Sequence, residues 1–244
     1  MHRTTQDIMT TENIYNPHVS VDCVVFGFDG ENLKVLLVER YIQEQNENYN
    51  DKKLPGSIIY NDEDLDEAAT RVLTELTGLK NIYLSQFRSF GSPNRINNPR
   101  DILWLENTMK LKIGRIVTVG YLALIKIDRK IQVLSDNTVA NWYDLKDLDN
   151  IRIAFDHAEI IKTALEQVRN KLDRDPQLFF ELLPRKFTMS QLRFLYDKIH
   201  NVRSDIRNFQ KKVAQWTYVV PLDETETGVP HRAARLYKFD KKKK

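Results

Sequence analysis

Residues 54–79 read LPGSIIYNDEDLDEAATRVLTELTGL, and how this stretch is read decides the fold. Leu65, Ala69, Val72, Leu73 and Leu76 recur at helical spacing, so a helix is predicted over 64–77. Acidic residues crowd its start, where the helix dipole favours them, and Gly78 closes it. Upstream, VSVDCVVFGF (19–28) and LKVLLVER (33–40) are rich in β-branched and apolar residues and flank an Asp29-Gly30 turn signal. They are predicted to pair as a buried hairpin. EQNENYNDKK (44–53) reads as a polar loop. Downstream, strands are predicted at 82–90 and 116–127, shorter ones at 130–134 and 141–144, and a helix at 159–172. Strands with one central and one trailing helix give an α+β domain.

The chain has 244 residues, 41% hydrophobic and 29% charged, which is an ordinary globular balance. With Cys23 as its single cysteine, no intrachain disulfide can form, which fits a reducing cytoplasm. No apolar run approaches the roughly 18 residues of a membrane helix, so no membrane partner is expected. The start, MHRTTQDIMTTENIYNPH, has no apolar core of a signal peptide and reads as a flexible tail over 1–17. His2, His18, His200 and His231 are scattered and give no metal-ligand spacing, and neither metal nor cofactor is expected. Net charge is +3, unevenly spread: residues 171–244 carry 17 Lys/Arg against 9 Asp/Glu, leaving the front of the chain acidic. A basic rear half points to a polyanion partner.

That rear half changes character after Pro176. Thr188 and Gln191 make a capping-box pattern ahead of an apolar stripe at Met189, Leu192, Leu195, Tyr196 and Ile199. After a short break, Ser204 or Asp205 caps a second helix. Ile206, Phe209, Val213 and Trp216 are its inner face, and Arg207, Asn208, Lys211, Lys212 and Gln215 its outer face. Strands at 218–222 and 234–239 follow, so the order is that of a winged helix-turn-helix. The domains expected are 18–172 and 173–240, with a basic tail at 241–244.

The opening stretch resembles the Nudix box: Ser57 stands at its first glycine, Glu63 at its first glutamate, Arg71 at its arginine, and Leu73, Glu75, Gly78 and Leu79 complete the frame. Val72 and Leu76 replace two of the three clustered carboxylates that, in that family, hold the divalent cation for hydrolysis of nucleoside diphosphate derivatives. One carboxylate does not hold such a cation, so hydrolysis is expected to be lost. The alternative is an active hydrolase with ligands shifted to Asp62, Glu63, Asp64 or Glu67 and an accessory nucleic-acid domain. A protein-interaction adaptor is a third class.

Box and basic winged helix together resemble the Nudix-related transcriptional regulators, the NrtR family, over most of the chain. Further stretches share the look: GRIVTVGYLALI at Gly114, AFDHAEII at Ala154, LLPRKFTMSQLRFLYDKI at Leu182, IRNFQKKV at Ile206 and ARLYKF at Arg235. The resemblance is nearest to the sugar-responsive branch, arabinose regulators included. It implies a Nudix-like α/β/α sandwich binding a small-molecule effector, such as a sugar or sugar derivative, and a homodimer on double-stranded operator DNA. The effector candidates are Arg40, Tyr60, Arg88, Tyr121, Asp156 and His157. The DNA candidates are Lys186, Ser190, Gln191, Arg203, Arg207, Asn208, Lys211, Lys212, Arg232 and Arg235. Arg207 and Asn208 suit guanine and adenine edges; Ser190 and Gln191 suit phosphate. INNPRDILWLENTMKLK (96–112) reads as an insertion, either a lid or dimer contact or a surface loop.

Overall fold

The computed structural model describes residues 14–44, 47–110, 112–127, 138–230, 232–240 and 242–243. The first strand, β1 (Tyr15–Phe28), begins inside the stretch expected to be a tail, and it pairs antiparallel with β2 (Leu33–Glu44). The segment expected to be a polar loop is instead a strand, β3 (Glu47–Lys53), on the outer edge of β2. β4 (Gly56–Tyr60) pairs with β1 and leads into helix α1 (Leu65–Thr77). β5 (Ser85–Phe90) follows, and then the insertion forms a helix, α2 (Pro99–Met109), capped by the Asn98 side chain. β6 (Val117–Lys126) runs parallel to β1, and β7 (Thr138–Asp144) pairs with β2. Helix α3 (His157–Arg174) closes this unit. The sheet order is β3-β2-β1-β6-β5, with β4 on β1 and β7 on β2, seven strands among the described residues. The strand expected at 130–134 lies outside them.

β1 explains the architecture. Val21, Cys23 and Val25 pack with Ala68, Ala69, Val72 and Leu73 of α1. The alternate residues Val24, Phe26 and Phe28 pack with Ile160, Ile161, Ala164 and Val168 of α3. Covered on both faces, the strand reads as a nearly continuous apolar run. Asp22 interrupts that run and is only 4% exposed.

The C-terminal unit is a short strand, β8 (Lys186–Thr188), helices α4 (Met189–His200) and α5 (Ile206–Val213), and strands β9 (Val219–Thr225) and β10 (Arg235–Phe239). The capping box at Thr188 and Gln191 forms on α4, and Asp205 caps α5. The wing sheet runs β8-β10-β9. Phe179, Phe180, Phe187, Leu192, Leu195, Ile199 and Phe209 belong to the same apolar cluster as Phe28, Leu33 and Ile160. The two units therefore share one continuous core.

Candidate functional site

On the α3 face of the sheet, β1, β3, β4, the N-terminus of α3 and the insertion enclose a buried charged cluster. Arg40 bonds Asp51 at 3.0 Å and also Asp101 of α2, and its guanidinium lies 4.9 Å from the Trp104 ring and 5.1 Å from Phe155. Arg95 makes a two-pronged bond to Asp156 at 2.9 and 2.8 Å and sits 3.7 Å from Asp22. Asp22 accepts from the Thr118 hydroxyl at 2.7 Å and lies 3.3 Å from His157 Nε2. Lys53 donates to the carbonyls of Gly56 (2.8 Å) and Leu54 (3.2 Å). Ser20, Asp22, Lys53, Ser57, Arg95, Trp104 and His157 surround a cavity of about 50 Å³, with Leu105 and Met109 of α2 as its apolar wall.

Thus Arg40, Asp156 and His157 of the sequence-derived effector candidates come together. The other three stand apart. Tyr60 packs under the Arg71 guanidinium at 4.1 Å, Arg88 is exposed on β5, and Tyr121 points to the α1 face, where its hydroxyl bonds Asp66. Asp22, Lys53, Asp51, Arg95, Asp101 and Trp104 were missed. A charge inside an apolar strand, as at Asp22, was the available signal.

His157 Nδ1 accepts the Leu54 N–H at 2.9 Å, so the proton must sit on Nε2, facing Asp22. Burial pushes the imidazole down to about 4 despite the pull of Asp22, with Lys53 and Arg95 opposing and Asp156 supporting the charged form. Burial likewise lowers Lys53 to about 8. The folded chain refuses a proton at His157 that the unfolded chain accepts below about pH 6.5. The contribution of His157 to stability is therefore complete above that pH and falls as pH drops toward 4. The expected loss between pH 7 and pH 5 is about 2 kcal/mol in urea unfolding. His157→Gln should flatten that slope, and an unchanged slope would refute the assignment. Burial depresses His200 in the same direction, so the difference between the two proteins isolates His157.

The box helix has a different local order. Glu63 takes both prongs of Arg71 (2.7 and 2.5 Å) and the Tyr60 N–H at 2.8 Å. Burial would raise its carboxyl, but those bonds to Arg71 and Tyr60 hold it below the usual range. Arg71 also bonds exposed Glu75 at 3.1 Å. Asp64 and Glu67 bond each other's backbone N–H as a capping box. Val72 is buried against β1 and Leu76 packs beside it. Among the described residues, no group of three His, Cys, Asp or Glu side chains is placed to hold a metal ion.

In the C-terminal unit, Arg207, Asn208 and Lys211 stand exposed on the outer face of α5, and Ser190 is exposed in the first turn of α4. Arg203 and Arg232 are exposed in the turn before α5 and the loop before β10. Four candidates have protein partners. Gln191 Oε1 is occupied by the cap, accepting the Thr188 N–H at 2.9 Å. Lys212 donates to the Tyr196 hydroxyl at 2.7 Å, Lys186 pairs with Glu224, and Arg235 bonds Leu222 O and Asp223. The exposed cations make a phosphate-attracting surface, and a capped helix beside a two-stranded wing has the shape that enters a major groove.

Known proteins match both units. The NUDIX domain family matches residues 16–164, and the NrtR DNA-binding winged helix domain matches residues 179–239. The ADPR responsive transcriptional repressor NtrR of Acinetobacter baylyi is 29% identical over 229 residues, covering 92% of this chain and 82% of that protein. The crystal structure of Shewanella oneidensis NrtR complexed with a 27mer DNA is 26% identical, with a TM-score of 0.65, covering 91% of this chain and 93% of that one. The NUDIX domain of the same Shewanella protein complexed with ADP ribose is 29% identical, with a TM-score of 0.50, covering 63% of this chain and 89% of that one.

Proposed function

We propose, for a chain that belongs to the Nudix family and ends in an NrtR DNA-binding winged helix, that it is a transcriptional regulator whose Nudix domain binds a small-molecule effector and sets operator affinity. The observation carrying this reading is the exposed basic face of α5, with Arg207, Asn208 and Lys211 outward on a helix capped by Asp205 and flanked by the wing. The DNA complex of the Shewanella relative supports it. As a winged regulator it would act in the cytoplasm as a homodimer, on half-sites about one helical turn apart. If Arg207 reads a base edge, Arg207→Ala should cost about 1–3 kcal/mol of operator binding and relax specificity there. Unchanged affinity in an anisotropy titration would take Arg207 off the interface.

The same proposal holds that hydrolysis is lost. Arg71 occupies both Glu63 and Glu75, and Val72 and Leu76 fill the remaining box positions with packed apolar surface. Incubation with ADP-ribose and Mg²⁺ should release no product, and magnesium-dependent turnover would favour the hydrolase reading instead.

For the effector, the buried cluster supports a small uncharged polar ligand such as a sugar. Arg40 and Arg95 each already face two carboxylates, and the Lys53 ammonium is spent on two carbonyls. A pyrophosphate needs cations that are not already neutralised. The cavity, about 50 Å³, has to widen for any such ligand, and Trp104, Leu105 and Met109 of α2 line the side the insertion contributes. The second reading is ADP-ribose, supported by the Acinetobacter relative and by the complex of the Shewanella domain. One experiment separates them: anisotropy on duplexes from the protein's own upstream region, with arabinose, xylose, a sugar phosphate or ADP-ribose added. A shift by a free pentose alone supports the sugar reading, and a shift by ADP-ribose alone replaces it. No preference over a scrambled duplex would sink the regulator.

A further inference from the structure

Helix α3 runs from the buried cluster to the DNA-binding unit. His157, its first residue, lies in the cluster, and the helix is 18 residues long, about 27 Å at 1.5 Å per residue. Near its far end, Arg169 Nε donates to the carbonyl of Ile199 at 2.5 Å. Ile199 lies in the last turn of α4, where carbonyls have no partner within the helix.

The turn beyond Ile199 is tied together through Asp197, a buried acid. Asn201 adopts a left-handed conformation (φ 53°), with its N–H on the Asp197 carbonyl. Val202 N–H reaches the same carbonyl at 3.0 Å. Asp197 Oδ1 accepts the Ser204 N–H at 3.1 Å. Arg193 bridges Asp197 Oδ2 (3.2 Å) and the Ser204 carbonyl (3.3 Å). Asp205 then caps α5 through the Asn208 N–H at 3.0 Å. The end of α4, the turn and the start of α5 are therefore one hydrogen-bonded block. Arg169 fastens that block to α3, and His200 lies 4.0 Å from Asp173 of α3 as a weaker second tie.

We infer that Arg169 is a positioning residue for DNA recognition: it sets where the α4–α5 turn, and so α5, stands on the Nudix domain without itself touching DNA. This rests on the DNA-binding reading above. Non-specific binding needs only the charges of the basic face, whereas specific binding needs α5 at the right angle in the groove.

Arg169→Met keeps the aliphatic stem and removes the donor. In titrations over a salt series, operator binding should weaken roughly tenfold, while affinity for a scrambled duplex and the slope of log affinity against log salt stay as in the parent. A slope reduced by about one would mean that Arg169 contacts phosphate directly, and the inference would be wrong. Unchanged operator binding would also overturn it. Hydrogen exchange supplies a readout that needs no DNA. The Val202 and Ser204 amides should exchange faster in Arg169→Met while amides in the middle of β1 keep their protection. If the turn amides keep parent rates, the tether is not there. If instead the parent protein shows no preference for any duplex but the turn amides respond, the tether stands and the DNA reading is what failed.

Discussion

Arg40→Ala should cost about 3–5 kcal/mol of folding stability, because it leaves two carboxylates buried without their cation. Arg40 is 3% exposed, Asp51 2% and Asp101 4%, so both carboxylates depend on the guanidinium rather than on bulk water. The loss is unequal on the two sides. Asp51 keeps a second cation, the half-exposed Arg152, at 3.3 Å, whereas among the described residues Asp101 keeps the Phe155 N–H at 3.0 Å and no second cation. Asp101 should therefore be the principal source of the penalty. Arg40→Leu combined with Asp101→Leu removes both charges and should recover most of it, since apolar side chains can replace a buried ion pair at little cost. Urea unfolding of the three proteins decides the matter. A loss below about 1 kcal/mol in Arg40→Ala would mean that the cluster is solvated. A double variant as unstable as Arg40→Ala would mean that Asp101 is not the stranded charge.

The same pair shows why parts of this fold were illegible in the sequence. The β1–β2 hairpin, α1 and the α4–α5 pair were readable because their buried faces are apolar at the period of the element, although Ile206, expected on the inner face of α5, is exposed and only Phe209 and Val213 of that helix are buried. β3 was not, because what it buries is Asp51 and Lys53, and a strand whose inward side chains are charged carries no hydrophobic alternation. α2 was read only as an insertion. Its signal was Asn98 followed by Pro99, a capping residue before a proline in the first turn, which outweighs the polar look of the segment. The effector candidates were polar or aromatic groups at strand or loop positions that would edge a cleft. That rule found Arg40, Asp156 and His157, and it also chose Tyr60 and Tyr121, which lie on the box side with Arg71 and Asp66. Strand alternation separates Asp22 from Tyr121: the first faces α3 and the second α1, although their strands are neighbours.

Gly56→Ala should be nearly as damaging as the loss of Arg40, and for a steric reason. Gly56 pairs with Asp22 across β4 and β1. A Cβ at Gly56 would sit 1.9 Å from Asp22 Oδ1, 2.9 Å from its Cγ and 2.9 Å from the Val21 carbonyl. Flexible side chains often swing clear of such a clash, but this one is fixed. Thr118 holds one oxygen, His157 faces the other, and Arg95 lies 3.7 Å away. Driving the carboxylate off strips Thr118 of its acceptor and leaves His157 Nε2 without the carboxylate it faces, in a place where an unpaired donor costs about 1–3 kcal/mol. Overpacking adds about 1–3 kcal/mol. The cavity beside Gly56 and Asp22 would be distorted as well; on the proposal that it takes the effector, the effector response should disappear even where the protein still folds. Asp22→Ala gives the decisive comparison. Alone it should destabilise, because it removes the same acceptor. Adding Gly56→Ala in that background should then cost less than in the parent, because the clashing oxygen is gone and only the Val21 carbonyl, 2.9 Å away, still meets the methyl group. The two substitutions should therefore fall short of additivity by more than about 1 kcal/mol. Additive losses would mean that the methyl group meets the backbone at Val21 rather than the Asp22 carboxylate. The cluster would then be looser than its hydrogen bonds imply.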